Sequence, residues 1–117
     1  MKTFKIKRVY EVPNENDGVR ILVDRLWPRG LTKQKAKIDF WLKEIAPSET
    51  LRKWFAHKPE RWFEFKKKYQ DELSVKGDIL NTIKEKGEEK NITLLYAAKD
   101  RLHNNAIALK ECLKNKF

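Results

Sequence analysis

Two short stretches concentrate the side chains able to bind or move charge. Residues 24–30 read DRLWPRG and residues 97–106 read AAKDRLHNNA. Arg25 and Arg29 each carry a planar fork that grips phosphate or carboxylate with two bonds, and Lys99 adds a point charge. Asp24 and Asp100 can orient those cations or pass protons, together with His103, a side-chain type that exchanges protons near neutral pH. Asn104 and Asn105 supply neutral donors, and Trp27 offers a ring for stacking. The catalytic candidates are therefore Asp24, Asp100 and His103. The ligand-binding candidates are Arg25, Trp27, Arg29, Lys99, Asn104 and Asn105.

Each residue also has a structural use. Asp24 with Arg29 and Lys99 with Asp100 can form ordinary ion pairs, which stabilise weakly. Asp100 can cap a following helix, and Trp27 can pack into a core. The stretch LRKWFAHKPERW at 51–62 raises the same choice for His57, which can line a site or bond a neighbouring backbone group, while Trp54 and Phe55 read first as core. Pro28 and Gly30 are expected to fix the path of the first loop.

Other chemistries lack their residues. The four glycines stand apart at 18, 30, 77 and 87, so neither a P-loop nor a G-x-G-x-x-G turn is present. One cysteine and two histidines at unrelated positions give no zinc spacing, and no metal is expected. No serine sits in a nucleophile elbow. Cys112 falls within an expected helix, where a buried, inert thiol is anticipated. No particular cofactor is implied.

The 117 residues suit one domain, residues 1–117, and an apolar share of 40% suffices for a core. A net charge of +10 draws polyanions and steers anionic ligands without specifying a fold. A lone cysteine excludes an internal disulfide. Neither a membrane-spanning run nor a signal-peptide pattern appears, which points to a cytoplasmic setting and no membrane partner.

The elements that must hold these loops can be read from periodicity. Residues 4–12 alternate, with Phe4, Ile6, Tyr10 and Val12 on one face, as in a half-buried strand. The turn formers PNENDG end it, and VRILV at 19–23 reads as a more buried strand. Residues 38–45 suit either a strand or a short helix. Ser48 is placed to cap a helix over 49–56, and Pro59 to open another carrying Trp62, Phe65, Tyr69 and Leu73. A third helical stretch carries Val75, Ile79, Leu80 and Ile83 and stops near Gly87. NITLLYAA at 91–98 is an unalternating apolar run, as in a central strand covered on both faces. A last helix over about 102–115 places Leu102, Ala106, Leu109 and Leu113 on one stripe. Strands separated by helices give an α/β fold with a mainly parallel sheet. In such sheets ligands bind beyond the carboxyl ends of the strands, where both charged loops would open.

The strings ILVDRLWPRGL at 21–31, WLKEIAPSETLRKWFAH at 41–57 and TLLYAAKDRLHNNAIAL at 93–109, with KRVYE at 7–11, cover nearly the whole chain. They resemble the domain-of-unknown-function-488 (DUF488) family in its YeaO-like branch. The resemblance implies a small, cytoplasmic, three-layer Rossmann-like α/β domain with about four mainly parallel strands flanked by helices. It supplies no activity, and no glycine-rich loop for a methyl donor follows any expected strand.

Three functions remain open. The first is a site for a small ligand bearing phosphate or carboxylate, with or without catalysis. The second is nucleic-acid binding through lysine-rich faces at 66–68, 84–90 and 110–116, which would be steeply salt-dependent. The third is a non-catalytic interaction module using the aromatic-rich residues 40–65.

Overall fold

A computed structural model describes residues 4–116. Four strands form one parallel sheet in the order β1-β4-β2-β3: β1 is Phe4–Arg8, β2 Val19–Leu22, β3 Phe40–Trp41 and β4 Ile92–Tyr96. Five α-helices accompany them: α1 Lys33–Ala36, α2 Glu49–Phe55, α3 Trp62–Leu73, α4 Gly77–Lys86 and α5 Asn105–Lys116. The small parallel α/β domain expected from the sequence is the one observed.

The uninterrupted apolar run places β4 at the centre. All five of its residues are buried, with β1 on one side (Phe4 opposite Ile92) and β2 on the other (Leu22 opposite Leu95). Ile21, Val23, Ile92, Leu94 and Tyr96 join the larger core with side chains from α2, α3, α4 and α5. The other face is thinner. Leu22 and Leu95 meet Val9, Ala36 and Ile38 there, with Trp27, Leu31 and Ala97 packed alongside.

Helix α3 shows the expected spacing, with Trp62, Phe65, Tyr69 and Leu73 all buried. Their rings build an aromatic column: Phe65 stacks on Phe55 with centroids 4.4 Å apart, on Trp62 at 5.7 Å and on Tyr69 at 5.9 Å. The Tyr69 hydroxyl donates to the Ile45 carbonyl at 2.6 Å, so no buried polar atom is stranded. Ser48 caps α2 as expected, its Oγ accepting from Leu51 N at 3.1 Å.

Several boundaries differ from the sequence reading. Strand β1 stops at Arg8, because the Glu11 carboxylate accepts from Arg8 N at 2.7 Å and folds the chain into a turn. Tyr10 and Val12 are therefore exposed. The 38–45 stretch is a two-residue edge strand followed by a 3-10 turn over 43–45. Val75 precedes α4 and is exposed. Helix α5 begins at Asn105 rather than 102: Asn104 Oδ1 accepts from Ile107 N at 3.0 Å, the N-cap bond, so Leu102 lies outside the helix and is exposed. Among the tryptophans only Trp62 is buried.

A charged cluster is buried away from these loops. Arg20 Nη1 lies 2.6 Å from Asp17 Oδ2, and its other nitrogens donate to the carbonyls of Ala36 and Lys37. Lys7 Nζ joins Asp17 at 3.1 Å, and the Thr93 hydroxyl donates to the Asp17 carbonyl at 2.7 Å. Gly18, with φ 66°, passes so close to β4 that an added Cβ would stand 2.1 Å from the Asn91 carbonyl oxygen. Among the described residues no helix is long and apolar enough to cross a membrane.

Candidate functional site

Because all four strands are parallel, their carboxyl ends share one edge, and the loops after them meet there. Residues 24–30 follow β2, residues 97–104 follow β4, and residues 42–48 follow β3 into α2. Between them opens a cavity of about 400 Å³. Asp24, Arg25, Trp27, Arg29, His103, Asn104 and Asn105 line it, so the structure brings seven of the nine sequence-derived site residues to one place. Lys99 and Asp100 do not line it.

The loops are held by specific bonds. Trp27 Nε1 donates to the Leu31 carbonyl at 2.7 Å, and its ring meets Trp41 edge-on at 5.3 Å. Trp27 thus packs against the thinner core face while also contributing to the cavity wall. Gly30 closes the loop with φ 81°, a left-handed conformation that glycine adopts freely. The Tyr10 hydroxyl donates to the Arg29 carbonyl at 3.1 Å. Arg8 fixes the β4 loop, its Nε donating to the Ala98 carbonyl at 2.9 Å and its Nη2 to that of Ala97 at 3.1 Å.

Asp24 and Arg29 form no ion pair. The half-buried Asp24 carboxylate instead accepts from Asn105 Nδ2 at 3.0 Å and Ala97 N at 2.9 Å. Burial raises its pKa above the usual aspartate value, against the lowering effect of those two bonds. Nor does Asp100 pair with Lys99 or provide the cap of α5. Its Oδ1 accepts from the N–H groups of Leu102 and His103, and its Oδ2 lies 3.0 Å from His103 Nδ1. The Leu102 N–H bond and the bond to His103 hold this carboxyl below the ordinary range. The His103 ring also meets Trp62 edge-on at 5.4 Å. Asp100 therefore bears on the cavity through His103. Asn104 is buried, with Nδ2 donating to the Asp100 carbonyl and Oδ1 serving as the cap, so both ends of its amide are engaged.

Part of the wall comes from the 51–62 stretch, where the sequence left His57 open as a site residue and gave Arg52 no role. Arg52 and His57, from α2 and the turn after it, line the cavity with Phe55, Phe65, Ala46 and Pro47. Trp54 lies elsewhere, between the Lys68 ammonium at 4.3 Å and the Arg61 guanidinium at 5.1 Å from its ring. Ala56 and His57 both adopt left-handed backbone, with φ 48° and 56°. Each such residue costs roughly 1–2 kcal/mol when it is not glycine. The available signal was Ser48, whose cap fixes where α2 starts once β3 is known to pair with β2.

Arg25, Arg29, Arg52 and His57 are exposed around this cavity, and Arg25 Nη2 donates to the Pro47 carbonyl at 3.2 Å. The guanidinium groups of Arg29 and Arg52 make no hydrogen bond or ion pair among the described residues. Asp24 is the one carboxylate in the lining. The lining thus sets positive charge beside the apolar surface of Phe55, Phe65, Trp27 and Pro47. Among the described residues no cluster of three His, Cys, Asp or Glu can hold a metal ion. Cys112 is buried within α5, as the sequence suggests. On the lysine-rich faces, Lys66 pairs with Glu111 at 3.2 Å and Lys68 with Glu64 at 4.0 Å, while the Lys116 side chain lies outside the described residues.

A family model described as "Inactive DUF488-N3 subclade" matches residues 3–117. "Uncharacterized protein YeaO" of Escherichia coli K12 is 39% identical over 109 residues, covering 93% of this chain and 95% of that protein. "Uncharacterized protein Rv3073c" of Mycobacterium tuberculosis H37Rv and "Uncharacterized protein Mb3100c" of Mycobacterium bovis are each 48% identical over 69 residues. That match takes in 59% of this chain, and the chain spans 58% of the length of either mycobacterial relative. No solved structure matches. With its length matched almost end to end, the chain belongs to the DUF488-N3i family.

Proposed function

We propose that this chain binds a small anionic ligand with a flat apolar body at the carboxyl edge of its sheet, and that it holds the ligand without transforming it. The observation that carries this reading is the wall of one cavity: three arginines and His57 around apolar and aromatic surface, with the Arg29 and Arg52 guanidinium groups making no hydrogen bond or ion pair among the described residues. Arginine forks bind phosphate or carboxylate directionally, and the +10 net charge steers anions toward the protein.

Binding without turnover is supported by the lining itself. It contains no serine, threonine, cysteine or lysine to serve as a nucleophile. The Asp24 carboxylate is engaged by Asn105 and Ala97. The family description as an inactive subclade agrees.

Calorimetric titration with phenyl phosphate and benzoate, against cyclohexanol as the uncharged control, tests the reading. The anions are expected to bind and the alcohol not to. Arg29→Ala combined with Arg52→Ala should weaken anion binding about tenfold or more, since each charged bond contributes roughly 1.5–3 kcal/mol. Unchanged affinity in that double variant would remove the site from this cavity.

A further inference from the structure

The lining pairs its cations with a single acid, and that acid has acceptor capacity to spare. Asp24 Oδ1 receives Asn105 Nδ2, and Oδ2 receives Ala97 N. An ionised carboxylate has about four lone-pair directions, so about two remain. Only a donor can meet them. A guest made of acceptors alone would set its lone pairs against those of a half-buried carboxylate, which repel them. Desolvation already raises the pKa of this carboxyl, and a donor from the guest would oppose that rise.

The opposite requirement holds for the cations. Arg25, Arg29 and Arg52 present three permanent charges. A carboxylate ligand neutralises one of them, whereas a phosphate monoester carries about −1.5 to −2 at neutral pH. The same lining includes Phe55 and Phe65, whose rings stack at 4.4 Å, and the volume of about 400 Å³ is within the usual size for small-molecule sites.

We infer that the ligand is a nucleoside monophosphate whose base carries an N–H donor, with the phosphate taken by Arg25, Arg29 and Arg52 and the N–H read by Asp24. This rests on the anion-binding reading above and adds a specificity-determining residue to it. Asp24 then selects among phosphates that the arginines would all accept.

The decisive comparison uses the wild-type protein and matched ligands. AMP and GMP carry N–H groups on the base, purine riboside 5′-monophosphate carries none there, and phenyl phosphate lacks the heterocycle. AMP or GMP is expected to bind about tenfold or more tightly than either of the other two, because a bond to a charged group is lost. Asp24→Asn should bring the three classes to similar affinity while the phosphates still bind. If purine riboside 5′-monophosphate or phenyl phosphate matches both nucleotides, the role given to Asp24 is wrong although the anion site stands. If no phosphate binds, both readings fall. Should Asp24→Asn fail to fold, the wild-type comparison decides alone.

Discussion

Asn105 Nδ2 reaches back across 81 residues of sequence to the Asp24 carboxylate at 3.0 Å, and also donates to the Val23 carbonyl at 3.0 Å. The first turn of α5 is thereby locked to the end of β2. Replacing Asn105 by alanine removes both bonds, leaving Asp24 only its bond from Ala97 N, and should cost about 1–3 kcal/mol in urea unfolding. The pH dependence has a definite sign. The folded pKa of Asp24 lies above its ordinary value, so its contribution is fully present at low pH and is lost as pH rises through that folded value. Without the lowering bond from Asn105 the rise is larger. The stability gap between wild type and Asn105→Ala should widen from pH 4 to pH 7, and a constant gap would contradict this account.

Asp17 behaves in the opposite way. Burial pushes its pKa up, but bonds from Asn14 N–H, Lys7 and Arg20 more than reverse this and hold it below the ordinary value. Its contribution is therefore present above the unfolded pKa of about 3.9 and disappears as pH falls through the lower folded value. Asp17→Asn leaves the buried Arg20 without its counter-charge and should cost about 3–5 kcal/mol at pH 7. Between pH 5 and pH 2 the variant should lose less stability than wild type, as read by chemical denaturation.

Relief of backbone strain can be tested at α2. Ala56 sits at φ 48°, so Ala56→Gly removes a steric cost of roughly 1–2 kcal/mol and adds an entropic one of about 0.4–1. A net gain of about 0.5–1 kcal/mol is expected in thermal or urea unfolding. Ala56→Val, branched where φ is positive, should be clearly destabilising.

Arg8 holds two carbonyls of the β4 loop from the neighbouring strand. Arg8→Met keeps most of the stem and removes both charge-assisted bonds, for a loss of about 1.5–3 kcal/mol. Amide exchange should accelerate most over residues 97–104, which carry His103 and Asn104 into the cavity. Uniform acceleration across the chain would show that Arg8 stabilises the domain without positioning that loop.

The parts of the fold that could be read in the sequence are those where one force dominates. Residues 92–96 have no polar period, so burial on both faces is the only use for them, and they are the central strand. The recurrence of Trp62, Phe65, Tyr69 and Leu73 likewise admits only a helix with one apolar face. Competition hid the rest. Asp100 and Asn104 are both good capping residues, and tertiary context gave the cap to Asn104 and the loop to Asp100. At 40–41 just two residues pair, too few for any periodicity to register. Without that strand, α2 cannot be set at the cavity, so Arg52 goes unrecognised and the choice for His57 stays open. The left-handed turn that carries His57 has no glycine to announce it.

The strand order carries a consequence for assembly. β1 and β2 do not pair with each other, since each pairs with β4, and among the described residues β4 follows the other three strands in sequence. Until β4 is in place, β1 has no partner strand and β2 is paired on one edge alone, with β3. The sheet is therefore completed only by a short hydrophobic segment that follows the other three strands in sequence.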